Sequence, residues 1–145
     1  IILARAGLKR LGLLQQEMYD LPLSKMLPAP AQGALGIQVR KDDENMLKLV
    51  GGINDRVSCL AVAAERAFLK ELEGGCQVPI GAHCQLHGDE FVLEGKVFSL
   101  EGAQSISGTI SEKAENTAAA GIKLARRLIE QGAYKLLEEI RGAKK

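Results

Sequence analysis

Residues 55–73 read DRVSCLAVAAERAFLKELE, and they carry the clearest helical pattern of this 145-residue chain. Apolar side chains recur at the spacing of one helix face, at Val57, Leu60, Ala61, Ala64, Phe68 and Leu72. Gly74 stands where a glycine that follows a helix C-terminus belongs. The stretch therefore predicts a helix from about residue 55 to residue 73, with one face in the core.

The residues after this helix predict an antiparallel sheet of three strands. Strand-like runs cover 82–87, 91–100 and 105–111. Gly88-Asp89 and Glu101-Gly102 separate them and are typical of turns. The short connections predict that consecutive strands pair as a meander.

Two further helices are predicted after the sheet, over residues 114–131 and 133–140. The first has an apolar face that we predict to be formed by Ala118, Ile122, Ala125 and Ile129. The order helix, three strands, helix predicts a small α+β domain over residues 53–145.

The residues upstream are organised differently. Residues 1–4 could end a strand, and a short helix is predicted from about residue 6 to residue 14. Pro28 and Pro30 predict a stiff crossing loop over 27–33, because each proline fixes its own φ and restricts the preceding residue. Residues 34–40 predict a strand with a polar end.

A helix is predicted to follow that strand. Asp42 or Asp43 can cap it, it runs through Val50, and Gly51-Gly52 ends it.

Composition excludes several classes of protein. Apolar residues make up 46% of the chain, which is enough to bury a core, and the net charge of +1 provides no general attraction for nucleic acid or an anionic membrane. No apolar run is long enough to span a bilayer. The chain opens at Ile1 without an initiator Met and without a visible signal peptide, so we expect part of a longer protein.

The three cysteines, Cys59, Cys76 and Cys84, form no repeating framework. An odd count of this kind favours a reducing compartment over a disulfide scaffold, so we expect a cytoplasmic protein. Cys59, on the long helix, is expected in the core.

The segment Glu73–Gly81, EGGCQVPIG, is the one that points to chemistry. Two glycines free the backbone after the long helix, and Pro79 stiffens the exit, so the loop should hold the thiol of Cys76 in place. Thiolate is a strong nucleophile. The loop alone favours a different interpretation, a small side chain packed under a turn, because free cysteines are usually buried and inert.

Four stretches in order resemble the hydroxymethylbilane synthase (porphobilinogen deaminase) family. Residues 73–81 resemble its cofactor-attachment loop, 6–12 (AGLKRLG) its Ala-Gly-Leu-x-Arg-Leu-Gly segment, 27–34 (LPAPAQGA) its Leu-Pro-Ala-x-x-Gln-Gly-Ala crossing, and 64–67 (AERA) its long helix. The resemblance weakens after about residue 95. Pro30-Ala31 departs mildly from the Val-Gly of some members.

The resemblance implies a transferase that joins four porphobilinogen units into the linear tetrapyrrole hydroxymethylbilane and releases ammonia at each step. Members build the chain on a dipyrromethane cofactor that is tethered through a cysteine thioether, and Cys76 is the matching cysteine. Each pyrrole carries two carboxylates, which arginine forks bind well. Arg10 and Gln32 match family residues near the pyrroles; by spacing alone they are a solvated charge and a loop residue.

The family has three domains, and this chain resembles its C-terminal half. Residues 1–26 would end the second α/β domain, 27–52 would return to the first, and 53–145 would form the cofactor-attachment domain. The catalytic aspartate and most arginines belong to the N-terminal domains, so the chain alone is expected to be inactive. The full-length protein is expected to be a monomer.

Other residues invite hypotheses. Glu65 and Arg66 are expected to be structural, as an ion pair or a domain-interface contact. A metal site formed by His83, Cys84 and His87 with Cys76 is not expected, because the sequence has no Cys-x2-Cys pair and the adjacent His83 and Cys84 point to opposite faces of a strand.

The rival hypothesis is a small α+β ligand-binding or regulatory module without catalysis, because fold alone does not determine function. The Gly-Gly-Cys loop argues against this second hypothesis, because a ligand-binding or regulatory module does not need a thiol held in a fixed place.

Overall fold

The structure is a computed structural model that describes residues 1–15, 17–72 and 78–142, with side chains through residue 139. Five α-helices and three strands lie in these ranges. They are α1 (Arg5–Arg10), α2 (Glu44–Gly51), α3 (Arg56–Glu71), β1 (Ile80–His87), β2 (Glu90–Phe98), β3 (Ser105–Lys113), α4 (Thr117–Glu130) and α5 (Ala133–Gly142). A 3₁₀ turn, Ala114–Asn116, leads into α4.

The predicted α+β fold is confirmed. The three strands pair antiparallel in the order β1-β2-β3, and Ala82, Gly95 and Gly108 are aligned across the sheet. Helices α3 and α4 pack on the face that carries these small residues. The ring of Phe68 from α3 lies over Gly95, and Leu124 from α4 lies over Gly108.

Side-chain caps begin α2 and α3. Asp55 accepts a hydrogen bond from Ser58 N at 2.7 Å, and Asp43 accepts one from Met46 N at 3.0 Å. The core face of α3 is also as predicted, except that Val57 in the first turn is 44% exposed.

The predicted face of α4 is wrong in part. The buried residues of this helix are Thr117, Ala120, Gly121, Leu124, Ala125 and Leu128. Ala118 is exposed, and Ile122 and Ile129 are half-buried. The buried face is turned towards Gly121, which lies against the backbone of α3, and it includes Leu124 and Leu128 instead of Ile122 and Ile129.

The strand predicted over residues 34–40 is also wrong, as is the strand end over residues 1–4. Neither stretch is paired, and the side chains of Leu35 and Ile37 are 98% and 58% exposed. A strand needs a neighbour to accept its hydrogen bonds, and the one sheet of the described residues lies elsewhere. Helix α1 ends at Arg10 and is therefore shorter than the helix predicted from about residue 6 to residue 14.

Candidate functional site

The crossing loop lies along the free edge of β1, where the backbone groups of an edge strand need partners. Pro28 O accepts a hydrogen bond from Ala82 N at 3.0 Å. Leu27 is buried and packs against Gly81. The contact requires glycine, because a Cβ at position 81 would lie 2.8 Å from Leu27 Cβ. The loop therefore covers an edge that would otherwise be open to pairing.

Glu65 joins this loop to the sheet. Its carboxylate, on α3, is buried at 6% exposure. Oε2 accepts a hydrogen bond from Ala31 N at 2.6 Å, and Oε1 accepts one from Cys84 N at 2.8 Å. His83 Nδ1 lies 3.8 Å from Oε1. The predicted ion pair between Glu65 and Arg66 is not found among the residues that the structure describes, and the predicted contact at a domain interface stays a prediction.

The turn held by Glu65 presents Gln32. Ala31 has a φ of 63°, in the left-handed region, and Gly33 follows with a φ of 86°. Gln32 N donates to Ala29 O at 2.9 Å, and Ala34 N donates to Ala31 O at 3.2 Å. The side chain of Gln32 is exposed at the tip of this turn.

Arg10 ends α1 and is exposed. It forms no ion pair within the described ranges, whereas Arg5 of the same helix pairs with Asp20. No hydrogen bond among the described residues links Arg10 to Gln32.

Cys76 lies outside the described residues, as does the predicted helix-ending Gly74. The residues on either side of this gap are anchored: Leu72 is 1% exposed in the core, and Val78 packs against the core cluster. Ile80 then opens β1.

The other two cysteines have different surroundings. Cys84 is buried in the core, and burial together with the Glu65 carboxylate raises the pKa of its thiol to about 11, so it stays protonated at neutral pH. Cys59 was expected in the core, but it is exposed. The reason is that Cys59 lies on the face of α3 that lines a cavity, together with Val62 and Arg66, whereas Ala61 lies on the core face.

That cavity has a volume of about 840 Å³ and lies between residues 33–37, α2 and the start of α3. Leu47 and Val50 of α2 line one side, and Cys59 and Arg66 of α3 line the other. Its lining includes Gly33, the residue that follows Gln32.

The described ranges contain neither a cluster of metal ligands nor a membrane-spanning helix. No group of three or more His, Cys, Asp or Glu side chains there could hold a metal ion. Cys84 is in the core and His83 is half-buried, as expected for the two faces of a strand. None of the described helices combines the length and apolar character needed to cross a bilayer.

Two family models match the chain. Residues 1–48 match "Porphobilinogen deaminase, dipyromethane cofactor binding domain", and residues 59–130 match "Porphobilinogen deaminase, C-terminal domain". The chain belongs to the porphobilinogen deaminase family. The first match contains Arg10 and Gln32, and the second contains Cys76 and Glu65.

Curated relatives named porphobilinogen deaminase agree with this assignment. The relative from Geobacter metallireducens is 46% identical over 97% of this chain, and the one from Prochlorococcus marinus strain MIT 9215 is 44% identical over the same share. A relative from Moorella thermoacetica is 43% identical over 98% of the chain. The chain spans 44–45% of the length of these relatives.

The hydrogen bonds of Glu65 to Ala31 N and Cys84 N were not predicted from the sequence. One signal was available, because Glu65 follows Ala64 and precedes Phe68 on the apolar face of α3. An acidic residue on a buried helix face needs hydrogen-bond donors, so it marks a polar contact between segments.

Proposed function

We propose that this chain is the C-terminal part of a hydroxymethylbilane synthase (porphobilinogen deaminase), a transferase. The full-length protein would join four porphobilinogen units into hydroxymethylbilane, with release of ammonia. The observation that carries the proposal is the match of both family models, at residues 1–48 and 59–130, to a chain with the Gly-Gly-Cys loop at 74–76.

Cys76 is the proposed tether of a dipyrromethane cofactor, through a thioether. The cofactor would supply the growing end to which pyrrole units are added. The environments of the other thiols support this choice: Cys84 is buried with a raised pKa, and Cys59 is on a helix without flanking glycines. Two glycines precede Cys76 in the sequence, and glycine is the residue that lets a backbone approach a bulky group.

Arg10 and Gln32 are the proposed binding residues, and their chemistry fits this group. Arg10 offers an exposed guanidinium without an acidic partner in the described part of the chain, which suits a pyrrole carboxylate. Gln32 offers an exposed amide that can donate and accept. Arg10 would orient the acidic side chains, and Gln32 would hydrogen-bond a ring or its substituents.

The remainder of the protein is the proposed partner of this chain. Residues 1–26 would complete a second domain, 27–52 would return to a first, and 53–145 would form the third. The N-terminal part would supply the catalytic aspartate, so the chain alone would be inactive. We further propose a cytoplasmic monomer that acts on porphobilinogen and the growing pyrrole chain.

Intact mass of the full-length protein tests the tether. Expressed in cells that make porphobilinogen, the wild-type protein and the Cys59→Ser and Cys84→Ser variants should carry the dipyrromethane mass, and Cys76→Ser should lack it. Peptide mapping should place the adduct on Cys76. An adduct on Cys59 or Cys84 would overturn the assignment.

A further inference from the structure

We propose that Glu65 is a positioning residue that fixes the direction of Gln32 by holding the turn 29–34 against the edge of β1. The inference rests on the proposed function, in which Gln32 contacts the bound pyrroles. It adds a role for a residue that itself lies too deep in the fold to touch them.

The Glu65 carboxylate accepts hydrogen bonds from two segments of the chain. Each of its oxygens accepts one backbone N–H, from Ala31 at 2.6 Å and from Cys84 at 2.8 Å. A buried carboxylate is stabilised by such donors, and an amide in its place could accept only through its single oxygen. Glu65 therefore connects two segments in a way that glutamine does not reproduce.

Ala31 has a left-handed backbone conformation. Its φ of 63° is one that alanine rarely adopts, because the Cβ approaches the neighbouring carbonyl. The two backbone hydrogen bonds of the turn, Gln32 N to Ala29 O and Ala34 N to Ala31 O, are internal to it. The bond to Glu65 ties Ala31 to the rest of the domain and so holds this conformation in place.

The backbone of Ala31 orients the side chain of Gln32. Gln32 is the next residue, and its side chain is exposed without a hydrogen bond among those of the described residues. The backbone conformation of Ala31 therefore sets the direction in which the Gln32 amide points. Release of Ala31 N would let the turn relax and spread the orientations of Gln32.

The hydrogen bonds are testable without any substitution. In the isotope-labelled 145-residue chain, nuclear magnetic resonance should detect scalar couplings across hydrogen bonds from Ala31 N and from Cys84 N to the same Glu65 carboxyl carbon. Both amides should exchange slowly with solvent. An Ala31 amide that exchanges as fast as that of an unstructured peptide would overturn the proposal.

Glu65→Gln tests the consequence for the turn, with Glu71→Gln as the matched control on the same helix, since Glu71 binds the exposed Arg126 at 2.8 Å. Glu65→Gln should speed exchange of Ala31 or Cys84 at least about tenfold, since a charge-assisted bond is lost. The Ala31 Cα and Cβ shifts should move away from left-handed values. Unchanged exchange and shifts in a folded Glu65→Gln chain would refute the role.

A double-mutant cycle in the full-length protein tests whether Glu65 acts through Gln32. Glu65→Gln and Gln32→Ala should each raise the KM for porphobilinogen several-fold, and the double variant should lose no more than the worse single variant. Additive losses would show a general structural role and overturn the proposal. If the wild-type protein did not turn over porphobilinogen, the proposed function would fail, while the amide measurements would still decide whether Glu65 holds the turn.

Discussion

Gly121 of α4 faces the carbonyl oxygen of Ala64 on α3 so closely that a Cβ on Gly121 would lie 2.2 Å from that oxygen. The same Cβ would lie 2.8 Å from the backbone nitrogen of Phe68. Both neighbours are backbone atoms, so no side-chain rotation could relieve the overlap. The close packing of the two helices on the sheet therefore depends on glycine at this position.

Replacing Gly121 with alanine should lower the free energy of unfolding by about 2 kcal/mol or more, because the helices must separate to admit the methyl group. Urea unfolding of the 145-residue chain, followed by circular dichroism, measures the change. Gly51→Ala is the control: a Cβ there meets no atom within 4 Å, so its effect should stay within about 1 kcal/mol. Equal unfolding midpoints for Gly121→Ala and the wild type would contradict the packing.

Cys84 should make stability depend on alkaline pH. Its thiol has a pKa raised from 9.0 to about 11 by burial and by Glu65. The unfolded chain loses this proton first, so the stabilisation is fully present below about pH 9 and is lost as the pH rises towards about 11. Urea unfolding across this interval should therefore show a steeper decline for the wild type than for Cys84→Ala. Cys59→Ala, which removes an exposed thiol, should keep the wild-type slope; a matching slope for Cys84→Ala would refute the assignment.

Arg10→Leu in the full-length protein should weaken binding of porphobilinogen and impair elongation while leaving the fold intact. Loss of one charge-assisted contact corresponds to about 2 kcal/mol, or about 30-fold in affinity. Steady-state kinetics and circular dichroism measure the two effects. Lys9→Leu removes a neighbouring exposed cation of α1 and should change affinity little. Equal losses in both variants would return Arg10 to the role of a general surface charge.

Residues 53–145 should fold as an autonomous unit, since α3, α4, α5 and the sheet share one core. A polypeptide of residues 27–145 should be more stable than one of 53–145 by about 2 kcal/mol, because it adds buried Leu27 and the bond from Ala82 N to Pro28 O. Urea unfolding of both polypeptides measures the difference.

Hydrogen exchange provides the opposing test of this division. Residues 35–40 donate no backbone hydrogen bond among those of the described ranges, so their amides should exchange quickly in a monomer. Strong protection there that does not depend on concentration would show that residues 34–40 are paired and that the division is wrong.

Much of the fold was predictable from local patterns. The cap of α2, predicted at Asp42 or Asp43 and found at Asp43, the apolar repeat of α3 and the turns at Gly88 and Gly102 are properties of neighbouring residues. The family was also predictable, because the four short stretches that resemble it are continuous in the sequence and need no structure to be identified. Cys76 remains a prediction of this kind.

Tertiary structure decided the features that depend on distant partners. Residues 34–40 have the composition of a strand, but no strand in the described part of the chain lies beside them, so they do not form one. The buried face of α4 was set by contact with α3 at Gly121, and Cys59 is exposed because it lies on the face of α3 that lines a cavity. Glu65 binds amides 34 and 19 residues away in the chain, a relationship that no local pattern encodes, because only folding brings Ala31 and Cys84 to one carboxylate.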